Sequence, residues 1–150
     1  MKSYFERVRS ERGSSLIEFG LIAVLLVMVL FGVVEICRMF LVYNDVAHAA
    51  RAGVRYAIVH GSDNPATTAD IKTVIKGFLS SAPLDPSKVS DPVITYGCLQ
   101  AGCTSPADSS TAVPGSTVQV TVSYPYDPLV TYFPLPSINL HSTSKGVITF

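Results

Sequence analysis

The chain has 150 residues, is 48% hydrophobic and only 15% charged, and carries a formal net charge of zero. That size leaves room for one small domain with a modest core once any targeting segment is set aside. Arg51 and Arg55 make a basic spot one turn apart that could touch lipid headgroups or nucleic acid, but two arginines suit a solvated helix face better, and no nucleic-acid partner is expected.

The charge is nevertheless unevenly placed. Lys2, Arg7, Arg9 and Arg12 crowd the segment before Gly13, against Glu6 and Glu11. An apolar run follows, and nothing charged interrupts it from Phe19 to Val34. Crossing a hydrocarbon core takes roughly 20 residues, which Leu16 to Cys37 supplies if Glu18 and Glu35 sit near the two interfaces. Basic residues hold their side of such a helix in the cytoplasm, so the sequence predicts a single-pass membrane protein, N-terminus cytoplasmic and C-terminal domain extracytoplasmic. Membrane lipid is therefore an expected partner. A secretory signal peptide is the rival reading. Against it stand the length of the run and Val34-Glu35-Ile36-Cys37-Arg38, which does not resemble a small-residue cleavage site.

Past the membrane-length run no helix breaker intervenes. Ile36, Phe40, Tyr43, Ala47, Ala50, Val54 and Ala57 recur at spacings of three and four, while Arg38, Asn44, Asp45, His48, Arg51 and Arg55 fall largely elsewhere. One helix is predicted from about Ser14 to about Val59, on the order of 65 to 70 Å long, with a glycine cap at His60-Gly61. Glu35 and Arg38 are three apart and make either an intrahelical pair or a subunit contact. In Ala49-Ala50-Arg51-Ala52-Gly53, small residues allow close backbone approach, with packing against the chain's own sheet the favoured use.

A turn at Ser62-Asp63-Asn64-Pro65 leads to a second amphipathic helix over roughly Pro65 to Ser81, marked by Ile71, Val74, Ile75, Phe78 and Leu79, with proline at its first position. After Pro83 strand patterns appear. Pro92 to Tyr96 is a short strand, and Thr117 to Tyr124 a clear one with Val118, Val120, Val122 and Tyr124 on one face. Pro125, Pro128, Pro134 and Pro136 punctuate a loop with Tyr126, Tyr132 and Phe133, an aromatic set that suits packing over the sheet edge or a contact surface. Ile138 to Phe150 is a last strand with a break near Gly146. The predicted fold class is α+β: a long N-terminal transmembrane and amphipathic helix, a second short helix, and a small antiparallel sheet packed on the helix.

Cys98 and Cys103 flank Gly102 in a Gly/Ser/Pro-rich stretch beyond the membrane, where a local disulfide is expected. No second ligand pair favours a metal there. Cys37 is left over, read as a buried thiol or an intermolecular bridge. His48, His60 and His141 are scattered, Ser14 and Ser15 lack a partnered base, and no phosphate loop occurs, so neither enzymatic activity nor a cofactor is expected.

The sharpest signal is Glu18. An acid at the entrance of a membrane-length segment is costly without a partner charge. Gly13, the acid five residues later and the adjacent Phe19 form the pattern of a prepilin processing site, in which cleavage after Gly13 frees the amine of Ser14. With Phe31-Gly32-Val33-Val34-Glu35, Arg38, Tyr43-Asn44, the block Ala49 to Ala57 and, downstream, Val118 to Tyr126, the chain resembles the TadE-like proteins, minor pilins or pseudopilins of tight-adherence (Flp-type) pili. The resemblance covers residues 12 to 57 strongly and the remainder loosely.

It implies a membrane prepilin peptidase as processing partner, and other pilins or pseudopilins with the pilus assembly machinery as assembly partners. By similarity to type IV pilins, it implies that Glu18 meets the Ser14 amine of a neighbouring subunit. The implied organisation is pilin-like, with a basic leader over 1–13, a transmembrane helix over 14–37 and an extracytoplasmic domain over 38–150. The alternative is an unprocessed, signal-anchored extracytoplasmic binding module.

Overall fold

The computed structural model describes residues 2–60, 64–82, 84–99, 106, 112–128 and 137–149, with side chains from residue 13 onward except at 86. Helix α1 runs Lys2–His60, 59 residues, a rise of about 88 Å. It begins well before the expected Ser14 and passes through Gly13 unbroken. One interior glycine costs only about 1 kcal/mol relative to alanine, and Glu6, Arg7, Arg9, Glu11 and Arg12 are good helix formers. At the other end His60 Nδ1 lies 2.9 Å from the Tyr56 carbonyl oxygen, where a ring N–H satisfies a terminal carbonyl. Gly61, the expected cap, lies outside the described residues.

Contacts divide the chain into two units, Met1–Arg38 and Met39–Phe150. The described residues of the first, from Lys2 on, are helix alone. The second is an α+β unit that contains the rest of α1, helix α2 (Thr68–Ser81), a short 3-10 turn at Pro86–Lys88, and strands β1 (Val93–Cys98), β2 (Ser116–Tyr126) and β3 (Ile138–Val147). The sheet is antiparallel throughout in the order β1-β2-β3, with Val118 between Tyr96 and Gly146 and Thr121 between Val93 and Thr143. The α+β architecture read from the sequence is the one observed.

Alternation on β2 makes the core. Val118, Val120 and Val122 are completely buried, and Tyr124 and Tyr126 nearly so, on the same face. They form one cluster with Val42, Val46, Ala49, Ala50, Val54 and Ala57 of α1 and with Ile71, Ile75 and Leu79 of α2. Each fully buried Val, Ile or Leu contributes about 1.5–3 kcal/mol. The inward stripe of α1 is thus not quite the predicted one. Ala47, Ala50, Val54 and Ala57 are buried, but Phe40 and Tyr43 are exposed, and Val42 and Val46 take the inward positions.

Three local boundaries also moved. Helix α2 starts at Thr68, because Thr67 caps it: Thr67 Oγ1 accepts from Asp70 N at 3.2 Å, and Thr67 N donates to Asp70 Oδ2 at 3.1 Å. This reciprocal capping box fixes the start more firmly than Pro65, which precedes the cap. Strand β2 continues through Pro125, which pairs with Asn139 of β3. The stretch lies beyond the part of β2 that β1 covers, so a residue without an N–H is tolerated there. Gly146 lies within β3 rather than breaking it.

Two close approaches explain the glycines. A Cβ on Gly53 would come within 2.7 Å of Ile75 Cδ1, so only glycine lets α1 and α2 meet there. On Gly146 a Cβ would fall 2.7 Å from Val54 Cγ1 and closer still to Ile58. At Gly115 the φ of 92° is left-handed, and Ser116 N donates to Val113 O at 2.9 Å. Pro114-Gly115 therefore forms a type II turn into β2.

Candidate assembly surface

Gly13, Ser14, Glu18 and Phe19 all lie on α1, and all are exposed. Ser14 and Glu18 are four apart, on one face and one turn from each other. No ion pair or hydrogen bond to Glu18 occurs among the described residues. A Cβ on Gly13 would meet nothing within 4 Å, so among the described residues no packing requirement calls for glycine there. Gly53 and Gly146 differ from it in this respect.

From Leu16 to Val34 the large apolar side chains are exposed all around the helix, Leu16 by 74% and Phe31 by 59%. A helix apolar on every side belongs in a core or a membrane, and this stretch is not buried within the chain. By length and composition it suffices to cross a membrane. Cys37 is free and exposed rather than buried. Glu35 and Arg38 follow within one turn of each other.

The ion pairs of the α+β unit lie on its surface. Lys72 Nζ and Lys76 Nζ lie 2.5 Å and 3.2 Å from the Asp91 carboxylate and tie α2 to the approach to β1. The hydrogen bond from Lys72, then that from Lys76, holds the Asp91 carboxyl below its ordinary range. Lys88 Nζ meets Asp127 Oδ2 at 2.8 Å, which raises the lysine above its ordinary value. Hydrogen bonds from Thr67 lower Asp70, and those from Ser87 lower Asp85. These pairs are exposed, and their role is to pin loops.

Cys98 closes β1 opposite Ser116 and is half-buried; Cys103 lies outside the described residues. Of the aromatic set, Tyr124 and Tyr126 are core residues rather than a contact surface, and the Tyr124 hydroxyl accepts from Asp85 N at 3.4 Å. Tyr132 and Phe133 lie outside the described residues. His48 and His141 are exposed. Among the described residues no group of three His, Cys, Asp or Glu side chains is placed to hold a metal ion.

Sequence reasoning missed an apolar recess of about 210 Å³ lined by Met39, Phe40, Tyr43 and Leu140. Phe40 and Tyr43 had been assigned to the buried stripe. The signal that separates them is the spacing Val42, Val46, Ala49, Gly53, Ala57, which follows a neighbouring face of α1.

The fold is a membrane-length apolar helix that continues into a small α+β unit. The model of the TadE-like protein family matches residues 13–55. Over that segment, less than half of the chain, the sequence is similar to the TadE-like family. No curated protein and no solved structure matches the chain.

Proposed function

We propose that the chain is a membrane-anchored pseudopilin or minor pilin of a tight-adherence, Flp-type pilus, cut after Gly13 by a prepilin peptidase. The observation that carries this reading is the family match, which begins at Gly13 itself, a glycine with no packing neighbour among the described residues. Cleavage turns Ser14 into a new N-terminus whose ammonium supplies the charge that Glu18 lacks. Both charges are costly alone in a low-dielectric setting, and breaking such a buried pair costs about 3–5 kcal/mol. Ser14 and Glu18 are four residues apart, so pairing between parallel neighbouring helices offsets them axially by about 6 Å, one turn. Glu18 is thus a register key among other pilins or pseudopilins and the assembly machinery.

In this reading residues 1–13 are a cytoplasmic leader, 14–37 span the inner membrane, and 38–150 form the extracytoplasmic domain, with Cys98 bridged to Cys103. The role is structural and not enzymatic. Mass spectrometry of membrane-extracted protein, produced together with a prepilin peptidase, tests it. The expected mass begins at Ser14; an intact Met1 terminus would sink the processing step and with it the register role of the Ser14 amine.

A further inference from the structure

The apolar surface of α1 does not stop where the charge-free run stops. Met39, Phe40 and Tyr43 follow Glu35 by four to eight residues and, with Leu140 of β3, line the recess of about 210 Å³. Around it Phe40 is 58% exposed, Leu41 63%, Tyr43 44% and Ile138 44%. Ile138 and Leu140 are two apart on β3 and share a face, so helix and strand together present one apolar and aromatic patch.

The length of the span identifies what covers it. The charge-free stretch Phe19 to Val34 has 16 residues and rises about 24 Å, against about 30 Å of hydrocarbon and roughly 20 residues. Counted from Glu18, the helix leaves the hydrocarbon near Arg38. The turn that follows, Met39 to Tyr43, then falls in the headgroup layer, where tyrosine and other amphipathic aromatic residues concentrate. A protein partner suits the patch less well. A stable interface uses roughly 20–30 residues a side, whereas four line this recess.

The geometry points to lipid of the outer leaflet as the occupant of the Met39, Phe40, Tyr43 and Leu140 recess. The α+β unit therefore rests on the bilayer through this patch. The inference depends on the membrane-spanning reading of α1.

The chain contains no tryptophan, so single tryptophans report on each position without background. Phe31→Trp, Tyr43→Trp, Ile138→Trp and Val93→Trp are each placed in the full chain and reconstituted in phosphatidylcholine and phosphatidylglycerol vesicles. The vesicles carry bromine on either shallow or deep acyl carbons. Tyr43→Trp and Ile138→Trp are expected to lose most of their emission to shallow bromine. Phe31→Trp loses its emission to deep bromine, and Val93→Trp, exposed on β1, to neither. Emission from Tyr43→Trp and Ile138→Trp that stays unquenched while Phe31→Trp is quenched overturns the lipid assignment and leaves the span standing. Unquenched emission that shifts blue as the protein-to-lipid ratio rises overturns it in favour of a second copy. An unquenched Phe31→Trp overturns the span itself, and this assignment with it.

Discussion

Three glycines with the same chemistry do two different things, and their surroundings say which. Gly146 is held by Val54 and Ile58 of α1, and Gly53 by Ile75 and Ile71 of α2, so both are required by the closeness of the elements they join. A Cβ on Gly13 would meet nothing within 4 Å, so among the described residues no close approach requires glycine there, and the proposed peptidase cleavage gives it a different use. Gly146→Val adds three carbons where the first already collides with Val54 and Ile58 side chains. Overpacking of a tight site costs about 1–3 kcal/mol, and that is the expected loss of unfolding free energy for this variant in denaturant titration. Gly13→Val, placed on an open helix surface, replaces a poorer helix former and is expected to leave stability unchanged or raise it by a few tenths of a kcal/mol. Equal losses in the two variants would contradict the close approach of β3 to α1.

Helix α2 is a short element whose start is set by one reciprocal pair and whose inward face is set by Ile71, Ile75 and Leu79. Because Thr67 hydrogen bonds lower the Asp70 carboxyl, the ionised form is the one the fold favours. A carboxylate depressed in the folded state stabilises above its unfolded pKa, and that contribution is lost as pH falls through the folded value. Asp91, held by Lys72 and Lys76, and Asp85, held by Ser87, act in the same direction. Stability should therefore fall as pH drops below the ordinary aspartate range. Lys88 has the opposite sign. Raised by Asp127, it stabilises below the ordinary lysine value, and the contribution is lost as pH rises above it. Thr67→Ala should cost about 1 kcal/mol near neutrality and flatten part of the acid limb in melts recorded across pH. An unchanged acid limb would remove Thr67 and Asp70 from the account.

How much of the molecule was legible depends on whether the deciding interaction is local. The alternation of Val118, Val120, Val122 and Tyr124 gave β2 its face because a period of two has one solution on a half-buried strand. The absence of any breaker strong enough to interrupt Ser14 to Val59 gave α1 its continuity. The inward stripe past Met39 was only half legible, since Phe40 and Tyr43 lie beside Val42 and Val46 and are no less apolar. The position of α2 and the sheet selects between those faces, which spacing along α1 alone does not reveal. Gly13, Ser14, Glu18 and Phe19 were legible as a motif because a charge beside an apolar run is conspicuous, while the recess needed β3 to bring Leu140 alongside Tyr43. The same division predicts how the chain tolerates truncation. Removing residues 1–38 leaves the unit Met39–Phe150 with Val42, Val46, Ala49, Ala50, Val54 and Ala57 still in the core, so it should stay in solution in mild detergent and melt cooperatively by circular dichroism. Removing 1–60 strips all six from the core and uncovers the valine face of β2, a patch that favours aggregation. That shorter chain should show no cooperative transition. If it melts like the 39–150 unit, the second half of α1 is dispensable to the fold and the helix serves the membrane alone.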